Sequence, residues 1–132
     1  MTSAERRSIN VESFGHVNPI PAACRIGSLL MSSVIPGRDP VSGRMPPGIE
    51  DQCAQMFRLV REIVEAAGGT PANIIKMTVW LRDSGNRDAL NAEWVKLFPD
   101  PASRPARHTL PLAGGGDSLV QCDITAVIDP TP

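Results

Sequence analysis

The most restrictive feature of the chain is a change of period near its middle. From Ile49 onward, Ile49, Cys53, Met56, Phe57, Val60, Ile63, Val64 and Ala67 recur at spacings of three and four. Such spacing draws one apolar stripe along a helix. Glu50, Asp51, Arg58, Arg61, Glu62 and Glu65 fall on the other side. Gly68 and Gly69 end the helix, because glycine tolerates the left-handed backbone that closes it. The following "NIIKMTVWLRD" alternates instead, with Ile75, Met77, Val79 and Leu81 on one face. Ile74, Lys76, Thr78, Trp80 and Arg82 take the other. A helix with one apolar stripe, joined by a short turn to a strand with one oily face, must pack on a sheet.

The rest of the chain agrees. "ACRIGSLLMSSVIPG" reads as two short strands around Arg25 to Ser28 with Gly27 at the turn, and "GRDPVSGRMPPG" as a loop. A second helix is expected from about Arg87 to Phe98, with Leu90, Trp94, Leu97 and Phe98 as its stripe and "PDP" as its stop. Strands follow at Ala106 to Pro111 and Leu119 to Ile128, separated by the glycine loop "AGGGD". In the last strand Val120, Cys122, Ile124, Ala126 and Ile128 are the apolar set, opposed by Gln121, Asp123, Thr125 and Val127. The order is that of an α+β layer. Two helices can cover only one face of the sheet. The other carries Thr78, Trp80, Asp123 and Thr125, too apolar to ignore and too polar for a core. The simplest resolution is that it meets copies of itself in an oligomer.

The chain has 132 residues, which fits a single domain spanning residues 1–132. It carries 13 basic and 14 acidic residues, so no basic surplus argues for nucleic acid. No apolar run is long enough to span a bilayer. The opening "MTSAERRSINVE" lacks the apolar centre of a signal peptide, so a cytoplasmic location is expected. Cys24, Cys53 and Cys122 are odd in number and widely spaced, which argues against a disulfide framework. His16 and His108 are far apart, and no C-x-x-C or H-x-x-x-H spacing exists, so no metal site is expected.

"SRPARHTLP", Ser103 to Pro111, places Arg107 in the middle of an otherwise uncharged strand. Arg107 is a solvated edge residue, a partner of Asp123 in an ion pair, or a grip on an anion, since guanidinium presents a planar fork that fits a carboxylate. Alternation puts Arg107 and Thr109 on one face and turns His108 toward the helix layer or an edge, as a structural residue. The strands carrying Arg107 and Asp123 are expected to pair. Asn91 is a poor helix former in mid-helix. It either bonds a backbone group that shapes a site or is a polar surface position. Cys53 and Cys122 fall on oily faces, as inert core residues. His16, in the loop "GHVNPIPAA", is placed by sequence where a cleft mouth could lie, but neither it nor Cys24 receives a role.

Several stretches together carry a family likeness. They are "GSLLMSSVIPGRDPVSG", "QCAQMFRLVREIVEAAGGTPANIIKMTVWLRD", "ALNAEWVKLF", "RPARHTL" and "VQCDITAVI". From about Asn18 to Ile128 the chain resembles the Rid family of reactive intermediate imine/enamine deaminases, also called YjgF-like or endoribonuclease L-PSP-like proteins. The resemblance implies a chorismate-mutase-like mixed sheet with two helices on one face. It further implies a homotrimer whose sheets form a central barrel, with clefts between subunits. The implied activity is a hydrolase acting on C=N bonds: 2-imino or 2-enamino acids go to 2-keto acids and ammonia, without cofactor or metal.

In that likeness Arg107 takes the place of the arginine that holds the substrate carboxylate, and Asp123 that of a glutamate that orients or activates water. Thr109 stands where many relatives have cysteine, and Asn91 matches an asparagine bordering the cleft. Ile20 stands where the family has tyrosine, and Val34 where it has glycine in the segment lining the cleft. The loop between Arg107 and Asp123 is one residue longer than is common. These departures imply a tighter, less polar cleft. They also motivate an alternative: a non-catalytic trimeric module that binds a small carboxylate metabolite or a macromolecular partner. RNA cleavage, ascribed to some relatives, finds little support in the balanced charge.

Overall fold

The computed structural model describes residues 5–15 and 18–129; His16 lies outside the described residues. Seven strands form one mixed sheet with two helices: β1 Arg7–Ile9, β2 Ala23–Ile26, β3 Leu29–Ser32, β4 Ile35–Pro36, α1 Ile49–Ala66, β5 Ile74–Leu81, α2 Arg87–Leu97, β6 Ala106–Pro111 and β7 Val120–Val127. The strand order is β1-β2-β3-β7-β5-β6, with β4 also paired to β7. All pairs are antiparallel except β5 with β6, the two strands joined through α2. The short strands β1 and β4 carry too few residues to show a period.

The stripe of α1 is buried as its spacing predicts, and so are Gln52 and Leu59. It packs with Leu90, Trp94 and Phe98 of the α2 segment against Leu30, Met77, Val79, Cys122, Ile124 and Ala126 of the sheet. Met56, Ile63, Met77 and Leu90 are wholly buried. Each such side chain contributes about 1.5–3 kcal/mol. Glu50 and Asp51 sit in the first turn of α1, where the helix dipole favours anions. At the other end Gly68, at φ +94°, and Gly69 return their N–H groups to Glu65 and Val64. That closes the helix in the Schellman manner. No basic residue occupies the last turn. Arg25 of β2 supplies the charge instead, donating to the carbonyl of Ala67.

Two expectations are corrected. In β5 the alternation holds only from Lys76 onward. Ile74 opposes Ala126 and Lys76 opposes Thr125, so Ile75 is an extra residue in a β-bulge. Ile74 is therefore buried, and Ile75 is 57% exposed. Second, β6 and β7 do not pair; they flank β5 on opposite sides.

Two polar side chains hold the long loops. Gln52, fully buried, donates to the carbonyls of Pro46 (2.6 Å) and Asp117 (3.2 Å) and accepts from the Leu119 N–H (2.8 Å). Arg82 donates to the carbonyls of Ser118 (2.9 Å) and Gly114. It thereby pins a loop in which Gly114, Gly115 and Gly116 all have positive φ.

Candidate functional site

Cross-strand register fixes where the candidate residues point. Arg107 is level with Met77, and Met77 with Ile124. Met77 and Ile124 are buried beneath the helices. Partners in adjacent strands share a face, so Arg107, and Thr109 with it, lie on the helix side of β6. His108 is level with Thr78, and Thr78 with Asp123. These three share the face that the helices leave open. Alternation along the sequence predicts His108 turned toward the helices or an edge. The relation of faces is the reverse, because the strand next to β6 is β5 and its oily side sets the parity.

Arg107 sits at the margin of the helix layer. Its Cζ lies 4.9 Å from the centroid of the Trp94 ring, a cation–π contact. Phe98 meets Trp94 edge to face at 4.8 Å and holds that platform. The Arg107 Nη1 is buried and has no hydrogen-bond partner among the described residues. Burial, and then the nearby Arg87 cation, lower the Arg107 pKa from its ordinary value. The ion pair with Asp123 is absent: the salt bridge among the described residues is Lys96–Glu93, at 3.0 Å. An orphaned, partly desolvated guanidinium donor is costly, so this arrangement favours an anion supplied from outside the chain.

Thr109, one step along the same face, helps to line an open cleft of about 200 Å³ together with Ser84, Arg87 and Leu110. Asn91 is exposed on α2, one turn after Arg87 and three residues before Trp94. Its amide makes no hydrogen bond within the described chain, so it is free to face a ligand. Arg87 and Trp94 were not singled out from the sequence as site residues. Their spacing with Asn91, at i, i+4 and i+7, was the available signal.

Asp123 lies on the open face, half-buried. Burial raises its pKa from the ordinary aspartate value, while Lys76 pulls the other way. The β4–β7 register, Ile35 with Cys122, runs on toward Val34 beside Asp123. Val34, 45% exposed, lines a broad groove of about 840 Å³ with Pro36, Gln121, Phe14 and Met45. Ile20, 44% exposed, stands in the segment leading into β2, its N–H bonded to Asn18. The residues singled out from the sequence thus divide between opposite faces of the sheet: Arg107 and Thr109 on the helix side, with Asn91 on α2, and Asp123 on the open side.

Burial raises the Cys53 thiol to about 12 and pushes Cys122 well up, so neither is a thiolate nucleophile at neutral pH. No cluster of three or more metal-ligating side chains occurs among the described residues. No helix among them is long and apolar enough to cross a membrane.

Residues 12–128 match the family described as Endoribonuclease L-PSP. The chain belongs to that family. It is the family of the RutC and Rid proteins. The RutC family protein of Aquifex aeolicus is 32% identical over 116 residues, covering 84% of this chain and 90% of that protein. Reactive Intermediate Deaminase A, chloroplastic, of Arabidopsis thaliana is 30% identical over 98 residues, 74% of this chain and 51% of that longer protein. The crystal structure of Escherichia coli TdcF with bound serine superposes with a TM-score of 0.84 at 26% identity, covering 92% of this chain and 98% of that one. This L-PSP family chain therefore shares its mixed sheet and two-helix layer with solved Rid proteins.

Proposed function

We propose that the chain hydrolyses reactive 2-imino acids, and the 2-enamino acids that tautomerise to them, to 2-keto acids and ammonia. The observation that carries this reading is the buried, unpartnered Nη1 of Arg107 over Trp94. A substrate carboxylate would complete it with charge-assisted hydrogen bonds. Water adds to the imine carbon as Asp123 takes its proton and passes it to the nitrogen, giving the carbinolamine. Asp123 then carries the hydroxyl proton to the nitrogen as the C=O bond forms and the C–N bond breaks, releasing ammonia. Water is the sole co-reactant, so the reaction as written calls for no cofactor. A carboxylate pKa raised by burial suits proton transfer near neutral pH better than an ordinary aspartate does.

Within one chain Arg107 and Asp123 face away from each other. The proposal therefore requires a homo-oligomer, in keeping with the trimer the family likeness implies. There the open face of one subunit, bearing Asp123 and Val34, lies against the free edge of β6 in the next. Thr109 and Asn91 flank the carboxylate in this arrangement, and Val34 and Ile20 narrow the approach. The deaminase names of relatives at about 30% identity support the reaction class.

The test is turnover of 2-iminopropionate or 2-iminobutyrate generated in situ. Loss of the acceleration in Arg107→Ala is the expected result, and equal rates for wild type and variant would exclude the reaction. The side chain of Asp123, one methylene shorter than glutamate, favours a second reading, in which the same oligomer binds carboxylates without turning them over. Saturable 2-keto acid binding, lost in Arg107→Ala, with no turnover, would establish that reading.

A further inference from the structure

Arg87 is a cation at the cleft lined by Thr109, two residues along β6 from Arg107, and no anion of the described chain pairs with it. It opens α2, where the helix dipole disfavours a positive charge. It lies one turn before Asn91 on the helix face that leads to Trp94 a turn later. With Thr109 and Ser84 it lines the cleft of about 200 Å³. Arg82, the other cation there, is engaged by the carbonyls of Ser118 and Gly114. Arg87 has no hydrogen bond or ion pair within the described chain. Asp88 follows it directly in sequence, but adjacent helix residues do not face each other. Arg87 is close enough to Arg107 to oppose its protonation. Arg87 is exposed and Arg107 half-buried, and neither guanidinium is paired with an anion of the described chain. A ligand with two negative charges would offset both.

We propose that Arg87 determines specificity at this cleft by selecting 2-imino acids that carry a second carboxylate, the imines of acidic amino acids. Arg107 holds the carboxylate next to the imine carbon and Arg87 the side-chain carboxylate. The inference rests on the deaminase reading above.

The test compares imines of aspartate and glutamate with imines of alanine and 2-aminobutyrate, generated in situ, on wild type, Arg87→Lys and Arg87→Met. The readout is the ratio of kcat/KM for dicarboxylic over monocarboxylic substrates. This ratio is expected to exceed one in the wild type. It should fall about tenfold or more in Arg87→Met, mainly through KM, and recover in part in Arg87→Lys. An unaltered ratio in Arg87→Met overturns the proposal. Calorimetry with 2-oxoglutarate, oxaloacetate and 2-oxobutyrate separates the two levels of the claim. If no imine is turned over, the deaminase reading fails. A dicarboxylate preference in binding that disappears in Arg87→Met still carries the double-anion site, and no preference overturns it.

Discussion

Arg107 and Asp123 flank the same strand, β5, yet face opposite sides of the sheet. Arg107 is level with Met77 on the helix side, and Asp123 with Thr78 on the open side. Neither is in an ion pair. A chain that retains both charges unpaired keeps two separate liabilities, and each can be tested.

Replacing Arg107 by methionine keeps apolar bulk over Trp94 and removes an orphaned cation. Replacing unpaired buried charge with packed apolar volume is often neutral or stabilising. The Arg107→Met variant should therefore denature in urea at or above the wild-type midpoint, while imine turnover falls by about two orders of magnitude or more. A lowered midpoint would mean that the guanidinium serves the fold.

Asp123 binds its proton more tightly in the folded chain than in the unfolded one, because burial disfavours the charged form. Between the two pKa values the folded state carries more protons, so stability falls as pH rises through that window. Asp123→Asn removes this loss. Its stability should match the wild type at low pH and exceed it above the window, as read from denaturant midpoints across pH.

For catalysis the same shift moves the acid limb of the pH–rate profile upward from where an ordinary aspartate would put it, since the base must be ionised. Asp123→Asn should reduce kcat by about 100-fold or more and abolish that limb. Asp123→Glu should keep the limb and raise kcat if reach limits the wild type. Stopped assays from pH 4 to 9 measure both.

The open face exposes Met31 (54%), Leu29 (47%) and Val127 (46%) side by side in the β2–β3–β7 region. If subunits join through this face, Met31→Glu buries a charge in the contact, at a cost of several kcal/mol per site. Sedimentation should then give monomers for the variant and a trimer for the wild type, with activity lost alongside assembly. A wild-type monomer would remove the shared cleft.

Gln52 links the loop before α1, the glycine loop and the start of β7 through three hydrogen bonds. Gln52→Leu leaves their backbone groups without a partner in a dry site, at a cost of about 2–4 kcal/mol. Urea denaturation measures this directly.

Much of this was legible in the sequence. The stripe of α1 and the oily face of β7 follow from local period, because a buried helix or half-buried strand shows its environment in its own residues. Strand neighbours are a long-range property, and there the reading failed. Placing β7 beside β6 made Arg107 and Asp123 partners and sent His108 the wrong way. The residues of β6, half-buried or exposed at every position, carry no oily face from which to read parity. Arg87 alone carries no signal in the sequence, because an exposed arginine on a helix is ordinary until its neighbours are known.

The bulge at Ile75 has a consequence for how this chain can vary in length. Ile74 and Lys76 already pair with consecutive residues of β7, Ala126 and Thr125, and they face opposite sides as neighbours in a regular strand would. Deleting Ile75 would therefore leave every later residue of β5 facing the side it faces now. A deletion beyond the bulge, from Met77 to Leu81, would exchange the two faces on one side of the cut. Ile75 is thus the point in this strand where the chain can lose a residue and keep its register.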